Sequence, residues 1–420
     1  MKTVGIIIEY NPLHNGHLYH FRQSKMVSQA DAVVAVMSGN FLQRGEPAVV
    51  NKWARTEMAL HMGVDLVIEL PVAFSSAPAE WFAYGAVSAL AATGAVDALC
   101  FGSELGEIRS LELLANMLYA EPRALEHMIK LRLKSGISYP KAYAAAVGDL
   151  LAEADLHRPA EDAEAMHVYL SQPNNILGLH YLIALKRLNS RIRPLTISRQ
   201  KAGYHQQTVS DDNIASATAI RKMIFEKNTL EPLASYVPSY TRTILRREWD
   251  AGRAPIGWNA YALPLLHQIV NSSIEELRQI FEMSEGLEYR LKRAIAGVNP
   301  DSAAPVEDLI AGLKTKRYTR TKLQRVLTRV LLNHRKDVLT KELLSKGVPY
   351  LRILGFSAQG RELLKQMKKT ASVPVVTKIA RETSPLLTMD IQATAVHALA
   401  YRRPDARDLL RDYYEPPLRI

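Results

Sequence analysis

Val4-Gly5-Ile6-Ile7-Ile8-Glu9-Tyr10-Asn11-Pro12-Leu13-His14-Asn15-Gly16-His17 is the stretch from which the fold follows. Its β-branched run predicts a buried strand, which Asn11-Pro12 then breaks. A helix is expected to begin near Asn15 or Gly16, because asparagine favours an N-cap and glycine lets one backbone approach another. His14 and His17 therefore stand where a strand passes into a helix N-terminus. Orphan N–H groups and the positive end of the helix dipole hold phosphate at such a place. Two imidazoles there can donate hydrogen bonds to nucleotide oxygens. The bland alternative is two surface histidines in a βα loop; the strand before them and the glycine between them favour phosphate.

Outward from that stretch, strand and helix signals alternate as in a parallel, doubly wound α/β sheet of Rossmann-like type. Strands are expected at Val4–Glu9, Ala32–Met37, Leu66–Glu69, Ala98–Phe101 and Arg193–Ile197, with helices at Leu18–Ser28, Lys52–Met62, Ala79–Thr93 and Ser110–Tyr119. Ligands in such sheets collect beyond the carboxyl ends of the strands. Asn11 to His17, Ser38-Gly39-Asn40, Gly102-Ser103-Glu104 and Arg199 all fall there. The pattern is helical between Glu121 and Arg187, including an Ala- and Glu-rich section at Ala142–Ala165. After about Pro238 the character changes to amphipathic helix rich in Arg and Lys. A boundary is placed near residue 240, giving a nucleotide-binding α/β domain over 1–240 and a mostly α-helical basic domain over 241–420.

With 420 residues the chain can bury a large core. Its 48% hydrophobic and 23% charged residues are those of a soluble protein, and no apolar run is long enough to span a bilayer. A cytoplasmic, membrane-free protein is expected. The lone Cys100 excludes an internal disulfide or a cysteine zinc cluster, and its strand context reads as a buried, inert thiol. Charge is unevenly placed. Residues 241–420 carry 31 Lys and Arg against 19 Asp and Glu, so essentially the whole net charge of +11 belongs to the C-terminal part. One region that holds a polyanion while another performs chemistry would have this asymmetry; a basic, solvated helix surface is the alternative.

His14-Asn15-Gly16-His17 resembles the His-x-Gly-His signature of the nucleotidylyltransferases, and Ile214-Ala215-Ser216-Ala217-Thr218-Ala219-Ile220-Arg221-Lys222 resembles the hydroxyl-then-basic segment that follows their core. The N-terminal half is more closely similar to the bacterial tRNA(Met) cytidine acetate ligases. The similarity runs through Glu9-Tyr10-Asn11-Pro12, the segment from Met37 to Ala48, and Lys52-Trp53-Ala54-Arg55-Thr56-Glu57. It continues in Phe101-Gly102-Ser103-Glu104, Pro173-Asn174-Asn175-Ile176-Leu177-Gly178 and Ala202-Gly203-Tyr204-His205. This resemblance implies an enzyme that takes ATP as co-substrate, with Mg2+, and activates acetate as acetyl-adenylate. It further implies acetylation of the wobble cytidine of elongator tRNA(Met) to N4-acetylcytidine.

In-line attack on an α-phosphate needs positioning and charge stabilisation more than a protein nucleophile. His14, His17, Arg221 and Lys222 are the candidate catalytic residues: the imidazoles for the α- and β-phosphates, the basic pair for departing pyrophosphate. Ser216 and Thr218 would add hydroxyl donors at a second helix N-terminus. The nucleotide-binding segment is expected to run through Ile7, Ile8, Glu9, Tyr10, Asn11, Pro12 and Leu13 to His14, Asn15, Gly16, His17 and His20. The resemblance carries Gly102, Asn174, Asn175 and Arg199 into the same pocket, one of the two asparagines being expected as an N-cap. Glu9 and Asp65 receive no acid–base role, and Gln43, Arg44 and Lys52 are candidates for the small carboxylate or for RNA. No dedicated metal site is visible. For RNA, Lys316, Arg317, Tyr318, Lys322 and Arg325 stand out, with Arg329 on the same predicted face and Tyr318 expected to stack on an unpaired base. Two rivals remain at this point: a small-molecule adenylyltransferase, which has no need of the basic region, and an inactive RNA-binding relative, against which the intact histidines and Ser216–Lys222 argue.

Overall fold

The computed structural model describes residues 1–104, 106–120, 122–137, 141–143, 145–147, 149, 172–198, 215–379 and 384–420. Five parallel strands form its centre: β1 (Thr3–Ile8), β2 (Ala32–Ser38), β3 (Leu66–Leu70), β4 (Ala98–Ser103) and β5 (Arg193–Ser198). They lie in the order β5-β4-β1-β2-β3, so the chain reverses direction across the sheet beside β1. Val4, Ile6, Val33, Val34, Ala35 and Val36 are wholly buried, as continuous apolar strands require when helices cover both faces. Burying each such valine or isoleucine contributes about 1.5–3 kcal/mol before entropy is counted. Helix α1 (Asn15–Ser28) follows β1, α2 (Lys52–Met62) joins β2 to β3, α3 (Ala79–Ala92) and α4 (Ile108–Ala120) flank β4, and α5 (Pro173–Arg187) precedes β5. These match the strand and helix positions read from the sequence to within a few residues.

The sheet does not stop at β3. Strand β6 (Leu351–Phe356) pairs antiparallel with β3, and β7 (Val375–Val376) and β8 (Leu418–Arg419) both run parallel to β6. The part of the chain beyond 240 is thus mostly helical yet also completes the N-terminal sheet, and no break in the sheet coincides with residue 240. A buried ionic cluster fastens this return. The Lys52 ammonium, at the start of α2, lies 2.9 Å from Glu69 on β3 and 2.9 Å from Asp412 near the C-terminus. Arg352 on β6 stands 3.6 Å from the same Asp412. Burial works against the Lys52 ammonium, but Asp412 and Glu69 more than offset it and hold its pKa above the usual value. Lys52 is therefore a structural cation at no exposure, unavailable to acetate or RNA. Trp53 is buried too, with the Arg411 guanidinium 4.3 Å over its ring.

Arg55 acts as a second internal brace. Its guanidinium donates to the carbonyls of Glu9 (2.7 Å), Ser38 (3.0 Å) and Gly39, clamping the ends of β1 and β2 together. Asn11 accepts from the Val49 amide at 2.7 Å, and Asn40 from the Lys52 amide at 2.8 Å. The polar residues that crowd the strand ends thus serve largely to fix the loop between Gly39 and Asn51 over the carboxyl edge of the sheet.

Candidate active site

That edge holds a cavity of about 300 Å³ at the ends of β1, β4 and β5 and the openings of α1 and α6 (Ala217–Lys227). Where β1 ends, Tyr10 takes a left-handed backbone (φ +47°), a conformation uncommon for a side chain of its size, and turns the chain into the cavity. The helix then begins at Asn15, within the expected range, but its cap differs. His14, not Asn15, is the N-cap: its Nδ1 accepts from the Gly16 amide at 3.1 Å, and the His17 Nδ1 accepts from the His14 amide at 3.3 Å. The two imidazoles cap the helix reciprocally and stack at 3.7 Å between ring centroids. In neutral rings that accept at Nδ1, the proton sits on Nε2, so both histidines are fixed in the Nε2–H donor tautomer. Asn15 is turned the other way, donating from its amide to Tyr236 and from its side chain to Ser235, both at 2.9 Å.

Across the cavity, Ser216 caps α6 by accepting from the Ala219 amide at 3.1 Å. Arg221, one turn on, donates to the Asn11 carbonyl and to Glu46, each at 3.0 Å. It thereby locks α6 against the β1 loop with its guanidinium at the cavity wall. Lys222 does not line the cavity; half-exposed, its ammonium lies 3.8 Å from Glu226 on its own helix. The expected pair is thus split, because adjacent helical residues point about 100° apart.

The β4 side is built from Gly102 and Asn174, both at the cavity wall. Neither asparagine is the N-cap of α5: Gln172 holds that place, Pro173 takes the first helical position, and Glu104 serves the first turn by accepting from the Asn175 amide at 2.9 Å and from the Asn174 side chain. Asn175 is almost wholly buried and is not at the wall. Close packing here explains Gly178, where a Cβ would meet the Phe101 ring at 2.5 Å.

Of the nucleotide candidates, Ile7, Ile8, Glu9, Tyr10, Asn11, His14, Gly16, His17, His20, Gly102, Asn174, Ser216 and Thr218 come together at this cavity. Pro12, Leu13, Asn15 and Asn175 stand behind it, and Arg199 lies outside the described residues. Sequence reasoning gave no place to the apolar wall of Phe82, Phe101, Leu177 and Tyr181. Those side chains sit in ordinary helix and strand patterns, which carry no mark of a ligand. Gln43, Arg44 and Glu46 do line it, delivered by the loop after β2. Among the described residues no group of three or more His, Cys, Asp or Glu is placed to hold a metal ion. Burial pushes the Cys100 thiol up to about 11, in keeping with an inert group.

The basic segment is arranged differently from the expectation. Helix α8 (Arg320–Leu331), preceded by α7 (Ser239–Asp250) among the C-terminal helices, draws Arg325 and Arg329 inward, while Arg320 stays exposed beside Glu307. Tyr318 is only 6% exposed, with its hydroxyl donating to the Glu285 carbonyl at 3.3 Å, so its ring cannot stack on a base in this arrangement. Lys322 lies over that ring, 5.9 Å from its centre, and Arg325 is paired with Glu282 at 3.1 Å. Arg329 is wholly buried and donates to the carbonyls of Ala73 and Ser76. Lys316 and Arg317 remain exposed, the latter beside Glu285 at 2.9 Å.

The HIGH Nucleotidyl Transferase family model matches residues 1–412. The tRNA(Met) cytidine acetate ligase of Alkaliphilus metalliredigens is 41% identical over 408 residues, covering 96% of this chain and 95% of that protein. Its namesake from Acetivibrio thermocellus is 42% identical over 97% of each chain. Two crystal structures of Thermotoga maritima TmcAL, apo and bound with alpha-thio ATP, superpose with TM-scores of 0.90 and 0.88 at 33% identity over the full length of both chains. With the cavity, the histidine cap and this full-length similarity in view, the chain belongs to the tRNA(Met) cytidine acetate ligases, within the HIGH nucleotidyl transferases.

Proposed function

We propose that this protein is an ATP-dependent ligase that activates acetate as acetyl-adenylate and acetylates the wobble cytidine of elongator tRNA(Met) to N4-acetylcytidine. The observation that carries the site assignment is the reciprocal His14–His17 cap at a helix N-terminus, with both residues lining a cavity at the sheet's carboxyl edge. ATP binds along that edge, its adenosine toward Gly102 and Asn174 on the β4 side and its phosphates between the openings of α1 and α6. An acetate oxygen attacks the α-phosphorus and pyrophosphate leaves. Charge growing on the phosphoryl oxygens is met by the imidazoles, and that on the departing pyrophosphate by Arg221, Ser216 and the first amides of α6. The cytidine amine then attacks the mixed anhydride and releases AMP. The apolar wall of Phe82, Phe101, Leu177 and Tyr181 keeps water from the anhydride.

The described residues offer no carboxylate cluster for magnesium, and Glu46 at the wall is engaged by Arg221. A magnesium ion would accompany ATP through the phosphates and water. The tRNA is held by the basic C-terminal part, with the exposed Lys316 and Arg317 among its contacts. No helix among the described residues is long and apolar enough to cross a membrane. A tRNA substrate supports a cytoplasmic location. The test is ATP–pyrophosphate exchange with and without acetate and tRNA. Acetate-dependent exchange in the absence of RNA is expected; exchange that requires a different acceptor points to a small-molecule adenylyltransferase, and no exchange under any condition overturns adenylation.

A further inference from the structure

Joining acetate to the exocyclic amine of cytidine strips a proton from that nitrogen. An amine conjugated with the pyrimidine ring is a weak nucleophile unless a base draws off its N–H as the C–N bond forms. Among the described residues two carboxylates line the cavity, Glu9 and Glu46. Glu46 is held by Arg221 at 3.0 Å, whereas Glu9 is gripped at one edge alone. Its Oε1 accepts from the Ser38 hydroxyl at 3.0 Å and from the Gln43 amide at 2.8 Å, while no hydrogen bond among the described residues reaches its Oε2. The carboxylate is thus fixed in orientation with one oxygen left for a ligand.

Its place in the sheet says which ligand. β1 lies between β4 and β2. The nucleotide candidates Gly102 and Asn174 are on the β4 side, and both partners of Glu9 come from the end of β2 and the loop after it. A carboxylate is also a poor neighbour for a triphosphate, which argues for a role toward the acceptor. We propose that the Glu9 Oε2 receives the N–H of the target cytidine's amine and takes its proton as that amine attacks acetyl-adenylate. This rests on the ligase function proposed above. The C–N bond forms at the acetyl carbon, the bond from that carbon to the phosphate oxygen breaks, and its electron pair leaves with AMP. The N4 proton passes to Glu9 and from there to water. The same contact selects cytidine, because a carboxylate oxygen accepts from an amine N–H, and the corresponding position of uridine is itself an acceptor.

Among the described residues, the charged groups around Glu9 are Arg55 beneath it on α2, with Arg44 and Glu46 on the loop above. Burial dominates and holds the Glu9 carboxyl above the ordinary range, bringing it nearer the pH at which the enzyme works. The basic form exists only above that raised pKa, so the transfer rate should climb with pH through it and then level off.

The experiment uses the full-length protein with Glu9→Gln, whose amide oxygen can still accept from Ser38 and Gln43. Acetate-dependent ATP–pyrophosphate exchange reports the first step; single-turnover transfer of labelled acetate to tRNA reports the second, across pH. The expected result is transfer slowed by about 100-fold or more beyond any change in exchange, and the pH-dependent rise abolished, with Glu9→Asp keeping the rise at a lower rate. Transfer within about fivefold of the parent, an equal loss of both steps, or a slowed transfer with its pH profile intact would each overturn the role assigned to Glu9. A parent enzyme that shows no acetate-dependent exchange would instead remove the ligase function on which the role rests.

Discussion

Replacing Lys52 by methionine removes one ammonium from a buried cluster and leaves two carboxylates behind. Glu69 and Asp412 each lose an ion pair of 2.9 Å, with side chains no more than 4% exposed. Deleting one partner of a buried pair costs about 3–5 kcal/mol, because the remaining charge is stranded. Arg352, 3.6 Å from Asp412, still compensates part of that carboxylate, so the lower end, about 3 kcal/mol, is expected. With an m-value of about 3 kcal/mol per molar urea, the midpoint of unfolding should fall by about 1 M. The deficit should depend on pH. Burial already raises the Glu69 carboxyl, and without the ammonium it rises further, so its protonated form is the one the mutant fold tolerates. A folded-state carboxyl pKa above the unfolded value destabilises progressively as pH rises above the unfolded value, so the mutant's deficit should be larger at pH 8 than at pH 5.5. Adding Glu69→Gln to Lys52→Met should recover part of the loss. A midpoint shift below about 0.3 M, or a deficit equal at both pH values, would refute the view that stranded charge is what the mutation exposes.

His17→Ala should abolish acetate-dependent exchange while tRNA affinity stays within about twofold; because it also removes half of the helix cap, worth about 0.5–2 kcal/mol, His17→Asn serves as the control and should lose exchange as well. Changing Lys316 and Arg317 together to alanine should weaken tRNA binding and reduce its salt dependence by about two units of log–log slope, with acetate activation retained; unchanged affinity at low salt would show that these cations do not meet RNA. Tyr318→Phe should lower stability by about 0.5–1.5 kcal/mol, the value of its bond to the Glu285 carbonyl, and leave tRNA affinity unchanged; a large affinity loss in a stable variant would restore Tyr318 as a stacking residue.

The central sheet was legible because strands buried on both faces announce themselves as apolar runs, as β1 to β4 do, whereas the edge strand β5 is only partly buried and mixes Leu195 and Ile197 with polar residues. Strand β6 was not. Leu351-Arg352-Ile353-Leu354-Gly355-Phe356 carries a charge and a glycine amid basic helices, and only the fold reveals that Arg352 has a carboxylate beside it from 60 residues downstream. The ATP-side segment was legible as a unit because His14, Gly16 and His17 lie on one turn. The capping role of the histidines was not, since histidine is seldom an N-cap and the tautomer follows from bonds that only coordinates display. Asn174 and Asn175 misled for a related reason: the turn they open is served by Glu104, a carboxylate distant in sequence. Charge counting located the basic region correctly but could not separate solvated cations from paired ones. Arg325 and Arg329 look identical to Lys316 in sequence, and Glu282 is what distinguishes them.

The buried half of the basic segment has its own task, and that task ties the RNA side to the chemistry. Helix α8 packs against the loop between Gly39 and Asn51 so closely that a Cβ on Gly45 would lie 2.3 Å from the Arg325 amide nitrogen, at a φ of +73° that already favours glycine. Thr328 donates to the Gly45 carbonyl at 3.0 Å across the same contact. This loop presents Gln43, Arg44 and Glu46 to the cavity, and the Gln43 amide orients the Glu9 carboxylate. The helix that follows the exposed Lys316 and Arg317 is therefore also the platform under the acceptor end of the site. A shift of α8 would reach Glu9 through this one loop. Two parts of the chain that look separate in composition are, in packing, one unit.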